Sequence, residues 1–133
     1  VRLGYLLGPQ ALVAEIDKVR PPYNVSVLNS EAALFALEAD VFAAQAQELC
    51  AQRTALVAAL QAMEQVEKVW PSEANMVLLR VPDAARTQAA MKARGVLVKN
   101  VSALHPLLAN CLRLTVGSAE ENTQMLAVLQ ESL

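Results

Sequence analysis

Histidine and cysteine are scarce in this chain. A single histidine, His105, in 133 residues leaves no room for a His-rich metal site. The two cysteines, Cys50 and Cys111, lack metal-ligand spacing. They sit on a helix-like and a strand-like stretch, and read as small buried hydrophobes in a reducing compartment rather than as a disulfide. Glycine is limited to four positions, and none of them builds a phosphate-cradling loop. No apolar run reaches the roughly 20 residues of a membrane span, and no signal-peptide pattern is present. Neither sign of charge dominates: the net charge is −2, which leaves no electrostatic footprint for nucleic acid. There is also no initiator methionine. Val1 opens inside a strand-like run, so we expect a fragment of something longer.

What the chain does have is apolar bulk, 55% of its residues, enough for one soluble domain with a core. Its most informative stretch is Asn110-Cys111-Leu112-Arg113-Leu114-Thr115-Val116-Gly117-Ser118. Alternation puts Leu112, Leu114 and Val116 on a core-facing side and Cys111, Arg113 and Thr115 on the other. Ser118 and Glu121 have capping-box spacing, which predicts a helix start. A guanidinium held on a strand is suited to a bidentate pair with a carboxylate or phosphate. The bland alternative, an arginine on the solvent face of a sheet, stays open.

In chain order, Val1 to Leu7 reads as a strand. A helix follows with Pro9 in its first turn and Leu12, Val13, Ile16 and Val19 on its apolar stripe. Pro21-Pro22 ends it, and residues 23–29 read as a linker. A long helical stretch breaks near Glu38 to Asp40 and continues through Phe42, Leu49, Arg53, Leu56, Leu60 and Met63. Val66 to Trp70 and Asn75 to Val81 read as strands. Asp83 caps a helix ended by Gly95. Val96 to Lys99 is the next strand, and residues 100–110 a loop around His105-Pro106. The Arg113 strand and a final helix with Met125, Leu126 and Leu129 inward complete the order β-β-α-β-β-α. The expected fold class is α+β: a small, mostly antiparallel sheet covered by helices on one face, preceded by a long helix.

Several residues at strand ends are candidates for a site: Arg2, Asn75, Lys99, His105 and Arg113. Together they suit anion binding. No Ser-His-Asp set, no acid pair in a suitable context and no zinc pattern accompanies them, so no catalytic residue is assigned. Plain structural roles remain open for Lys99 (a solvated strand end), His105 (a turn) and Asn75 (a strand cap).

At these residues the chain resembles the C-terminal part of the histidinol-phosphate aminotransferases, pyridoxal-phosphate enzymes of the aspartate-aminotransferase fold type. Arg2-Leu3-Gly4-Tyr5 looks like the tail of the family's S-K-x-x-x-L-A-G-L-R-x-G-Y segment. Val19 to Val25 looks like its loop leading into a long interdomain helix. Pro71-Ser72-Glu73-Ala74-Asn75 looks like its S-x-A-N-F/M strand entry. The closing block is the most specific: Gly95 to Asn100, His105 to Leu108, and Asn110 to Gly117. Other members of the fold type share a weaker form of it.

The resemblance implies residues 1–30 as a remnant of a large cofactor domain and linker, 31–64 as an interdomain helix region, and 65–133 as a small C-terminal domain. It implies that Arg2 binds the phosphate of pyridoxal 5'-phosphate and that Arg113 pairs with a substrate α-carboxylate. Lys99 would stand near a substrate phosphate, with Asn75 and His105 lining the pocket. The reaction implied is transfer of an amino group from histidinol phosphate to 2-oxoglutarate, giving imidazole-acetol phosphate and glutamate, in a cytoplasmic homodimer. The partners implied are small molecules, with no nucleic acid and no membrane. The lysine that binds the cofactor covalently and moves the proton in such enzymes lies upstream of the position that Arg2 matches. Lys18, Lys68, Lys92 and Lys99 stand in other contexts, so the chain is expected to be inactive alone. A transaminase for aromatic or other amino acids, or a non-enzymatic interaction domain, are the alternative readings.

Overall fold

Two five-residue strands decide the architecture. The computed structural model describes residues 3–39 and 42–133. β2 (Met76–Arg80) and β4 (Cys111–Thr115) pair antiparallel, with Val77 opposite Leu114 and Leu79 opposite Leu112. These four side chains point to one face, and none of them is exposed to solvent. β1 (Lys68–Val69) flanks β2 and β3 (Lys99–Asn100) flanks β4, so the sheet runs β1-β2-β4-β3, antiparallel throughout.

Helices cover the apolar face. Leu56 and Leu60 from α3 (Phe42–Gln61), Met91 from α4 (Ala84–Ala93), and Met125 and Leu129 from α5 (Ala119–Ser132) join the strand residues in one core. Burying a leucine of this kind contributes about 1.5–3 kcal/mol. The helix ends follow their sequence signals. The Asp83 side chain accepts from Arg86 N–H at 2.9 Å, and Gly95 leaves α4 at a φ of 81°. Ser118 and Glu121 form a complete capping box at the start of α5. Asn122, 5% exposed, fastens that corner. Its Oδ1 accepts from Gly117 N–H at 2.9 Å, while its amide donates to Gly117 O and to Gln52 Oε1 of α3. This is the expected α+β sheet with one helical face.

The contacts divide the chain into two compact units, residues 1–44 and 45–133. The sheet and its core lie in the second, together with α3 from Gln45 onward. The first unit contains α1 (Gln10–Val19) and α2 (Val27–Glu38). Among its described residues none is buried.

Several local expectations are corrected. Residues 3–9 form no strand, because no strand among the described residues pairs with them; Tyr5 and Leu7 are exposed. Pro9 is the N-cap of α1, one position before the helix. α2 begins at Val27, inside the expected linker, where the Ser26 side chain accepts from Asn29 N–H. β3 pairs only at Lys99 and Asn100 and leaves residues 96–98 outside the ladder. Residues 102–108 are two short 3-10 turns rather than plain loop. Cys111 is buried as expected, but Cys50 is exposed. Cys50 stands roughly 120° around α3 from Leu56, off the stripe that meets the core. The helix break before Phe42 falls where expected.

Candidate functional site

The face of the sheet away from the helices carries the polar phase of the strands. Arg113 lies at the middle of β4, opposite Leu78 on one neighbour and Lys99 on the other. A directly opposite pair on antiparallel strands shares one face, with Cβ atoms about 4.5–5.5 Å apart. Two cations therefore stand side by side there, both exposed. Among the described residues no side-chain hydrogen bond or ion pair engages either one; the ion pairs found lie elsewhere, at Lys18, Arg20 and Arg94. Like charges placed opposite one another are destabilising. An anion placed between them would relieve the arrangement, and the guanidinium fork suits a carboxylate or phosphate.

Beside Arg113 lies an open hollow of about 410 Å³. Trp70, Ser72, Met76 and Leu78 form its strand side, and Leu104 and Leu108 from the 3-10 turns form the other. The hollow thus has one fixed cation at a mainly apolar wall. The Ser72 hydroxyl accepts from Ala74 N–H at 3.1 Å and donates to Met76 O, shaping the turn before β2. Arg53 of α3 donates from Nη1 to Ala74 O at 3.1 Å and holds the same turn from the helix side.

Lys99 and Arg113 are brought together. Asn75 is exposed just before β2, and its carbonyl accepts from Val116 N–H at 2.9 Å. It therefore sits three residues along β4 from Arg113, about 10 Å away along the strand. His105 accepts from Leu107 N–H through Nδ1 at 3.2 Å and caps the second 3-10 turn. Arg2 lies outside the described residues. Sequence reasoning missed Trp70, Leu104 and Leu108 as walls. The single tryptophan, next to Pro71, was the available signal for the first; the leucines looked like ordinary loop residues until the turns folded them back.

The described residues do not by themselves form a holder for pyridoxal phosphate. Lys18 is paired with Glu15 on the surface, Lys68 stands over the Trp70 ring, Lys92 is exposed on α4 and Lys99 neighbours Arg113. No lysine faces the hollow beside Arg113, so no covalent step is assigned to these residues. No group of potential metal ligands occurs among the described residues, and no helix among them is long and apolar enough to cross a membrane.

Comparison with known proteins adds a second line of observation. The family model for aminotransferase class I and II matches residues 1–129. The chain is 75% identical over 134 aligned positions to a histidinol-phosphate aminotransferase of Acidovorax ebreus, covering 100% of this chain and 36% of that protein. It is 55% identical to histidinol-phosphate aminotransferase 1 of Ralstonia nicotianae, again over 100% of this chain and 36% of the relative. The chain therefore spans little more than a third of the length of these relatives. Among solved structures, the histidinol-phosphate aminotransferase from Clostridium acetobutylicum superposes with a TM-score of 0.79 at 17% identity, covering 92% of this chain and 37% of that one. At that identity the likeness is one of fold.

Proposed function

Because the chain belongs to the class I and II aminotransferases, we propose that it is the anion-gripping part of a pyridoxal-phosphate transaminase acting on histidinol phosphate and 2-oxoglutarate. The observation that carries this reading is the Lys99–Arg113 pair, two cations opposite one another on neighbouring strands. A dianionic substrate, or substrates that carry a carboxylate and a phosphate, turns that repulsion into attraction.

Arg113 takes the carboxylate of glutamate, or the anionic end of the phosphorylated amino alcohol, through its planar fork. Lys99 serves as a point charge for the phosphate. The pairing of β3 with β4 fixes both, so the substrate is held in one orientation before reaction. Asn75 and His105 are proposed to line the pocket on the family resemblance; neither borders the hollow beside Arg113. Pyridoxal phosphate would supply the electron sink for amino transfer, and the family resemblance implies that Arg2 would hold its phosphate. The names carried by the Acidovorax and Ralstonia relatives support histidinol phosphate as the amino donor. The products are then imidazole-acetol phosphate and glutamate, made by a cytoplasmic homodimer.

The test is made in the protein that carries this chain. A charge-assisted pair is worth about 1.5–3 kcal/mol, so Arg113→Ala is expected to raise the KM for glutamate at least about tenfold. An unchanged KM removes Arg113 from the site. Activity on aromatic amino acids without activity on histidinol phosphate points to another transaminase of the family. A colourless protein that binds no pyridoxal phosphate sinks the enzyme reading and favours an interaction domain.

A further inference from the structure

The loop that walls the hollow at Arg113 has little of its own to hold it. Between Val101 and Cys111 it forms two 3-10 turns, whose internal hydrogen bonds are local. Leu104 and Leu107 are 69% and 75% exposed and Leu108 is half-buried, so burial anchors it only weakly. Three side chains from the sheet reach it: Asn100 Oδ1 accepts from Ser102 N–H at 2.9 Å where the loop begins, Cys111 Sγ donates to Ala109 O at 3.5 Å where it ends, and Arg80 alone comes from a strand not contiguous with it. Arg80, at the end of β2 and opposite Cys111, donates from Nη2 to Leu107 O at 2.8 Å and from Nε to Ala109 O at 3.1 Å. The same guanidinium lies over the Trp70 ring, 5.4 Å from its centre, and Lys68 Nζ lies 4.9 Å from that centre. Arg80 thus ties the strand wall, Trp70, to the loop wall that carries Leu104 and Leu108. It does not itself line the hollow.

We propose that Arg80 is a positioning residue, which clamps the 102–109 turns against the sheet and so sets the width of the anion site at Arg113. The proposal rests on the reading of Arg113 as a carboxylate-binding group. A planar fork is required, because two carbonyls on one turn must be reached while the flat face stays on the indole. Leu107 O and Ala109 O both receive charge-assisted hydrogen bonds, the stronger kind. Without them the second turn keeps the His105 cap, its own two local bonds and the long Cys111 Sγ–Ala109 O contact of 3.5 Å.

The test compares Arg80→Met and Arg80→Lys with the parent protein, read by residue-resolved hydrogen exchange and by steady-state kinetics. In Arg80→Met the amides of Leu107, Leu108 and Ala109 are expected to exchange about tenfold faster, while those of Leu112 and Leu114 stay as they were. The KM for the carboxylate substrate rises about tenfold with kcat within about twofold, because the residue touches neither substrate nor reacting atoms. Arg80→Lys keeps the charge but not the fork, and falls between the two. Unchanged exchange at residues 107–109 overturns the clamp. Faster exchange with an unchanged KM overturns its link to the anion site, and a fall in kcat alone does the same. Should the parent protein transfer no amino group at all, the transaminase reading fails, while the exchange comparison still decides whether Arg80 holds the loop.

Discussion

Residues 3–39 and residues 45–133 are both rich in leucine, valine and alanine, yet they use them differently. In the second unit, alternation on β2 and β4 stacks leucines and valines against three helices, and ten large side chains or more lose nearly all contact with water. In the first, Leu12, Val13 and Ile16 recur at helical spacing on α1, but each remains 39–50% exposed, and Val27 and Leu28 on α2 are 76% and 81% exposed. Apolar content alone therefore does not make a core. A layer needs a facing layer. An apolar surface of the kind the first unit presents is characteristic of contact with further protein.

The sharpest way to break this contrast is a matched pair of truncations in this chain. Leu112→Ala removes a fully buried side chain from the centre of the sheet, and is expected to cost about 2–5 kcal/mol in urea unfolding. Leu28→Ala, at an exposed site, is expected to stay within about 0.5 kcal/mol. Equal losses at the two sites mean that the first unit hides its leucines after all.

Glycines give a second, smaller comparison. Gly95 has a positive φ and open space around it, so a methyl group there meets nothing but its own backbone. Gly95→Ala is expected to cost about 1–2 kcal/mol from conformation alone. Gly4 also has open space, without a positive φ, and Gly4→Ala is expected to leave the melting temperature nearly unchanged. A melting point lowered as much by Gly4→Ala as by Gly95→Ala contradicts this.

The smallest effect bears most directly on function. Lys99→Met removes one member of the opposed cation pair. It is expected to stabilise the protein by about 0.2–1 kcal/mol while weakening its hold on a phosphate-bearing substrate. A variant that loses stability instead shows that Lys99 is satisfied within the fold and is not kept for a ligand.

The helix caps at Asp83, Gly95 and Ser118 were legible in the sequence because each depends on two or three neighbouring residues. The inner faces of β2 and β4 were legible because a period of two is a local property. Residues 3–7 misled for the complementary reason: alternation announces a strand, but a strand exists only when another pairs with it. Cys50 misled because its neighbours do not reveal which side of α3 meets the core. At the site, Arg113 was found from its strand, whereas the walls at Trp70, Leu104 and Leu108 depend on how the turns fold back across the sheet.

By itself, the sequence determined the caps at Asp83, Gly95 and Ser118, the inner faces of β2 and β4, the side of β4 on which Arg113 stands and the family resemblance, since all of these reside in short-range pattern and local string. Only the tertiary structure decided that Lys99 lies opposite Arg113 and that Arg80 reaches the 102–109 turns. Those depend on strand register and on side chains that meet across more than ten residues of chain, where no local rule constrains the partner.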